Sequence, residues 1–273
     1  MENNAAQPVK KRYLGLYFAL ALPLAWLFWI PMALINQGLW TPPLPIPTLV
    51  WSTLGAVSPL VTLAIIERIS HKQVQLGAVL NNIRLKEWRS PRVWISAGFY
   101  LIVTLILTLL YFVVEPSAGP VQLFNPEVFA ELGWFILLVI PVQFFTALIT
   151  SPFFEEPGWR GFAFDALRRY MPRLFASLIV GSYWWLWHQG MNVAFGAMPT
   201  FPGFLSMLLD SWAIDTLYLL SGRNVLAAML AHQSMGTAFT FLFPIPDLWY
   251  LLIGKAVLVG VLHFGFLSRH DKL

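Results

Sequence analysis

Two adjacent glutamates in an apolar chain are the first residues that could do chemistry. Glu155 and Glu156 stand in Ser-Pro-Phe-Phe-Glu-Glu-Pro-Gly-Trp-Arg-Gly-Phe, and Arg160 follows Glu156 by four positions. Adjacent helical residues diverge by about 100°, so the two carboxylates cannot share one task. The i,i+4 spacing predicts an ion pair between Glu156 and Arg160. Glu155 is then left to face a cavity, where a poorly hydrated carboxylate is a good general base toward water. Pro157 removes a helical hydrogen bond to residue 153 and predicts a bend at the carboxylates. The bland alternative is a membrane-surface salt bridge at a helix end.

Two histidines extend the set. His188 lies in Tyr-Trp-Trp-Leu-Trp-His-Gln and His232 in Leu-Ala-Ala-Met-Leu-Ala-His-Gln. A lone histidine at bilayer depth is commonly an interhelical hydrogen-bonding contact. Two neutral imidazoles on different helices, with a carboxylate on a third, can instead polarise a water or hold a metal. Zn2+ or another divalent ion on Glu155, His188 and His232 and a metal-free water are equally compatible with these residue types. Asp210, Asp215, Lys255 and His263 are the other ionisable groups at bilayer depth, where charge is costly unless paired or hydrated. Asp210 and Asp215 fall on different helix faces and read as structural or supporting, with Lys255 a candidate partner.

The elements that must position these side chains are membrane helices. Of 273 residues, 58% are hydrophobic and only 11% charged, and the mean hydropathy is +0.67. An ordinary soluble domain carries about 25% charged residues. Long apolar runs predict an all-α polytopic protein with about eight spans, over residues 13–36, 46–66, 93–114, 128–150, 174–196, 203–220, 224–243 and 248–267. Many of the 13 tryptophans fall near run ends, as interfacial anchors do. The first run reads as a retained helix rather than a cleaved signal. With no cysteine, disulfides and thiolate chemistry are excluded. The net charge of +4 is distributed as a topology signal and does not point to nucleic acid.

Basic residues sort onto alternate joints. Lys10, Lys11 and Arg12 precede the first run, and Arg68, Lys72, Arg84, Lys86, Arg89 and Arg92 follow the second. Arg160, Arg168, Arg169 and Arg173 follow the fourth, Arg223 the sixth, and Arg269 and Lys272 the eighth. The intervening joints 37–45, 115–127, 197–202 and 244–247 contain no Lys or Arg. This alternation predicts both termini in the cytoplasm. Residues 70–90 read as an amphipathic surface helix, and residues 157–170 as another short helix. No internal repeat or separate soluble domain is visible, so residues 1–273 read as one membrane domain.

The ordered set has a counterpart in a known family. Glu155-Glu156-Pro157-Gly158-Trp159-Arg160 fits an EExxxR pattern, Trp184 to His188 an aromatic-xxx-His pattern, and His232 a third motif. Over residues 125–245 the chain resembles the CPBP family of intramembrane proteases, which includes Rce1-type CAAX prenyl proteases and bacteriocin-associated Abi membrane proteins. The resemblance implies hydrolysis of a peptide bond in a membrane-associated peptide or protein, in the cell membrane, from a site open to the cytoplasm. It implies Glu155 as the base, helped by His188, with His232 at the oxyanion and Glu156 and Arg160 in support. The second family motif usually begins with Phe, here Trp184. The third is usually HxxxN, and here Gly236 replaces the Asn. Loss of one oxyanion donor costs about 10²–10³ in rate, and Gln233, Ser234 or Asn192, four residues after His188, are the possible substitutes.

For Glu155 and His188 to meet, either span four must end deep or span five must begin late, and a late start near Ser177 is the expectation. HExxH, GxGD and GxSG motifs are absent. A non-catalytic scaffold or immunity-type protein of the same fold is the alternative function. A small-solute or ion transporter using Asp210 and Asp215 ranks below it, since no inverted repeat is visible.

Overall fold

The computed structural model describes residues 9–267. Its helices in chain order are α1 (Lys11–Asn36), α2 (Thr48–Ala56), α3 (Ser58–Ile69), α4 (Leu76–Asn81), α5 (Pro91–Val114), α6 (Pro126–Leu132) and α7 (Ile136–Leu148). Then follow α8 (Pro152–Gly158), a π-helical turn (Trp159–Phe164), α9 (Asp165–Leu167), α10 (Arg173–Ala194), α11 (Phe201–Leu220), α12 (Val225–Phe241) and α13 (Leu248–Gly260). Among the described residues the only β pairing is an isolated bridge between Phe124 and Leu242. The chain is an all-α polytopic membrane protein.

Helices stand at all eight expected places, but they are not equally apolar. Five are long and apolar enough to cross a membrane: Lys11–Asn36, Pro91–Val114, Pro126–Leu148, Phe201–Leu220 and Leu248–Gly265. The pair α2 and α3, bent by 42°, makes a sixth if it is one broken span. The two that fall outside this set are α10 and α12, the helices that carry His188 and His232. Helix α12 is short, at 17 residues, and both helices are also shaped by burial. A helix facing protein need not match lipid, and both hold polar side chains along their length. Helix α12 is nearly all buried, with Ala227, Ala228 and Ala231 fully so. Conversely, Leu138, Val142 and Ile253 on the apolar helices are more than half exposed, as lipid-facing residues are.

The described chain divides into two compact units. The first comprises Met1–Asn81 and Phe154–Pro199, the second Asn82–Phe153 and Thr200–Leu273. In the first, α1 packs on α10, α2 and α3. Its inward positions Tyr17, Ala21, Ala25, Trp29 and Met32 follow the 3.6-residue period and are fully buried, while Leu27 and Ile30 face outward. Interhelical hydrogen bonds fix the register. Trp26 Nε1 donates to the Trp187 carbonyl (3.1 Å), Asn36 to the Ala194 carbonyl (2.9 Å) and Trp187 Nε1 to Ser58 Oγ (2.9 Å). Trp29, Trp184 and Trp187 are therefore core residues, not interfacial anchors.

In the second unit, α12 packs on α5, α7 and α11. Ser234 Oγ accepts from the Tyr100 and Leu101 amides of α5 (3.1 and 3.3 Å). Asn224 caps α12 through the Leu226 amide (3.0 Å) and also holds the Arg84 amide (3.1 Å). The Arg84 guanidinium covers the end of α11, donating to the Ser221 and Gly222 carbonyls (3.0 and 2.7 Å).

Four sequence expectations change. Residues 70–90 do not form one amphipathic helix. Positive φ at His71 and Lys72 ends α3, and only the short α4 and a single 3₁₀ turn, Leu85–Glu87, follow. The expected fourth span stops at Leu148, and a turn at 149–151 separates it from α8, so the break precedes the carboxylates. The short helix expected at 157–170 is the continuation of α8 through the π turn into α9. Helix α10 starts at Arg173 rather than near Ser177. Arg269 and Lys272 lie outside the described residues.

A side chain at Gly55 would collide with the Trp29 indole. Gly55→Ala is expected to destabilise the protein by about 1–3 kcal/mol, read as a fall in Tm in detergent. Gly15→Ala on α1, where nothing lies within 4 Å of the new methyl, is expected to hold or raise Tm.

Candidate active site

The local backbone at the glutamates follows from Pro157. Proline has no amide to give to residue 153 and its ring crowds that carbonyl, so a regular α-helix cannot pass unaltered. Here α8 opens into a six-residue π turn, Trp159–Phe164. Such turns are rare and concentrate at functional positions. All six residues of the turn are buried.

The two carboxylates diverge as the helical period requires. Glu156 Oε1 accepts from Arg160 Nη1 at 2.9 Å, with both side chains wholly buried. This is no surface salt bridge, and Arg160 is not one of the surface charges of the joint. Glu155, also buried, takes a different direction, and its Oε2 accepts from Trp184 Nε1 at 3.0 Å. The Arg160 guanidinium stacks over the Trp184 ring, 4.7 Å from its centroid. One indole thus touches Glu155 by its edge and Arg160, the partner of Glu156, by its face.

Trp184 also reaches His188. The His188 Nδ1 lies 2.9 Å from the Trp184 carbonyl oxygen. A carbonyl only accepts, so Nδ1 carries a proton and donates to it, and in a neutral ring the lone pair then lies on Nε2. The imidazole is half-buried, edge-on to Trp187 with centroids 4.7 Å apart. Trp184 is eleven residues into α10, roughly 16 Å from its start at 1.5 Å per residue. Glu155 therefore meets α10 at this level although α10 begins at Arg173 rather than late.

The first unit brings together Glu155, Glu156, Arg160 and His188. Asn192 follows on α10, half-buried one turn beyond His188. His232 belongs to the second unit, buried on α12. Its neighbours are engaged: Gln233 Nε2 donates to Thr237 Oγ1 (3.1 Å), and Ser234 is the acceptor for α5 described above. Gly236 has open space where a side chain would project. Among the described residues, no group of three or more His, Asp and Glu is placed to hold a metal ion.

The remaining ionisable groups are built into the second unit. Lys255 Nζ donates to both Asp210 carboxylate oxygens (2.9 Å each) and to Ser206 Oγ (2.9 Å). His263 Nδ1 accepts from Trp212 Nε1 at 3.0 Å. Asp215 is buried on α11. The residue that sequence reasoning undervalued is Trp184, read only as the aromatic at the head of a motif. The available signal was its indole N–H, a donor that phenylalanine lacks.

Residues 134–238 match the family model described as type II CAAX prenyl endopeptidase Rce1-like. The match is confined to these residues, less than half of the chain. Glu155, Glu156, Arg160, His188 and His232 all fall inside it. A 49-residue stretch is 45% identical to CAAX prenyl protease 2 of Methanococcus maripaludis. That stretch is 18% of this chain and 17% of the relative. The matched region draws on both units, since its first and last segments belong to the second and its middle to the first.

Removing one member of a buried ion pair leaves an unpaired charge, which costs about 3–5 kcal/mol. Arg160→Met is expected to lower Tm in detergent by that mechanism. The double variant Glu156→Leu/Arg160→Met, which removes both charges, is expected to recover most of the loss.

Proposed function

We propose that the chain is an intramembrane endopeptidase that hydrolyses a peptide bond of a membrane-associated peptide or protein, with Glu155 as the base that activates water. One observation carries this reading. Of two adjacent buried glutamates, one is neutralised by Arg160, and the other is oriented by Trp184, whose carbonyl also orients His188.

The bond changes are those of amide hydrolysis. A water oxygen bonds to the scissile carbonyl carbon while Glu155 takes the water's proton. The tetrahedral oxyanion then collapses, the C–N bond breaks, and the proton held by Glu155 passes to the leaving amine. His188, with its Nε2 lone pair, can accept a second hydrogen bond from the water. His232 is assigned to the oxyanion on the strength of the motif. Glu156 and Arg160 hold the turn, and Asn192 supports the His188 face. The proposed setting is the cell membrane, with about eight spans, both termini cytoplasmic and water entering from that side.

A second reading, a scaffold or immunity-type protein of the same fold, draws on Gly236, which removes an oxyanion donor. Transport by Asp210 is disfavoured, because both of its oxygens are engaged by Lys255.

Cleavage of a membrane-anchored peptide in proteoliposomes tests the proposal. Glu155→Gln is expected to lower kcat by about 10²–10⁴, the worth of a general base, at unchanged expression and Tm. Persistence of cleavage in both Glu155→Gln and His188→Ala would reject the enzyme reading. Gly236→Asn, for which there is room, is expected to raise kcat by up to about 10². Chelation before the assay is expected to leave the rate within a few-fold, and a loss restored by Zn2+ would assign a metal to the site.

A further inference from the structure

Tyr17 is one of several buried polar side chains of the first unit without a hydrogen-bond partner among the described residues, and the one whose hydroxyl lies against the glutamate helix. It lies six residues into α1 and is wholly buried. Its ring packs edge-on against Trp159 (5.5 Å between centroids) and against Phe162 (5.1 Å), both in the π turn. Its hydroxyl has no hydrogen-bond partner among the described residues. Buried hydroxyls are nearly always satisfied, so one that is not calls for a functional account.

The hydroxyl is aimed at the glutamate helix. A Cβ built on Gly158 would collide with Tyr17 Oη and with Pro59. Glycine at this position is what lets the hydroxyl approach the backbone of α8. Gly158 is three residues beyond Glu155, and i,i+3 positions share a helix face. The ionisable groups close enough to interact with the hydroxyl are Tyr183 of α10, Glu156, Glu155 and Arg160. Any larger residue at 158 would fill the approach.

We propose that Tyr17 is a positioning residue for the water that Glu155 activates. This rests on the hydrolase reading above. The water gives one hydrogen to the Glu155 carboxylate and the other to Tyr17 Oη, which turns its lone pair toward the scissile carbonyl. Tyr17 makes and breaks no bond. Its effect is geometric, and misplacing a reacting group by about 1 Å can cost 10²-fold in rate.

Tyr17→Phe separates this role from a structural one, because it keeps the ring and removes only a hydroxyl without a partner among the described residues. The expected result is a fall in kcat of about 10- to 100-fold, with KM within two-fold and Tm equal or higher. Unchanged kcat in Tyr17→Phe, with Glu155→Gln inactive in the same proteoliposome assay, overturns the Tyr17 assignment and leaves the hydrolase reading standing. Cleavage by Glu155→Gln overturns the hydrolase reading itself. A lower Tm in Tyr17→Phe overturns the assignment too, since it would give the hydroxyl a structural partner. Gly158→Ala, which displaces the hydroxyl from the helix, is expected to reproduce the kcat loss, and full activity in it would also reject the proposal.

Discussion

A wholly buried ion pair between Glu156 and Arg160 is the constraint on which the rest of the site depends. Two charges removed from water repay their desolvation only when geometry and further hydrogen bonds are good. Here the pair closes within one helix at 2.9 Å, and the guanidinium is further covered by the Trp184 ring. Because the pair consumes one carboxylate, the next residue back is turned elsewhere by the helical period. The different orientation of Glu155 thus accompanies the commitment of Glu156 Oε1 to Arg160.

That division propagates into α10. The indole of Trp184 stacks on Arg160 by its face and donates to Glu155 by its edge, while its backbone carbonyl sets the tautomer of His188. Three ionisable groups are oriented through one residue. Phenylalanine in the same place would keep the stacking and lose the donation to Glu155. The neighbouring aromatics Trp159, Trp187 and Tyr17 are buried around this region, and a poorly hydrated surrounding strengthens the polar contacts inside it.

Burial also explains which helices look least like membrane spans. Hydropathy reports what a helix meets, and a helix meets lipid only where protein does not cover it. The lipid-facing helices are apolar enough to be recognised by composition. The helices with the histidines spend their length against other helices, so they can carry Ser, Gln, Asn and His without exposing them to hydrocarbon. The polar residues that weaken the span signal include the two histidines proposed for chemistry, His188 and His232.

Much of this was written in the sequence because it is local or additive. Apolar runs, the i,i+4 spacing of Glu156 and Arg160, the divergence of adjacent glutamates and the disruption at Pro157 follow from helix geometry and composition, whatever surrounds them. The pairing of Asp210 with Lys255 was legible as a need, since a charge at that depth requires a partner. The tertiary structure alone decided the rest. That Glu155 meets Trp184, that Arg160 is interior rather than a headgroup charge, and that the helix at 70–90 breaks at His71 and Lys72 depend on contacts between segments far apart in the chain. No period or propensity encodes such contacts, because they are selected by which surfaces fit together once the helices have formed.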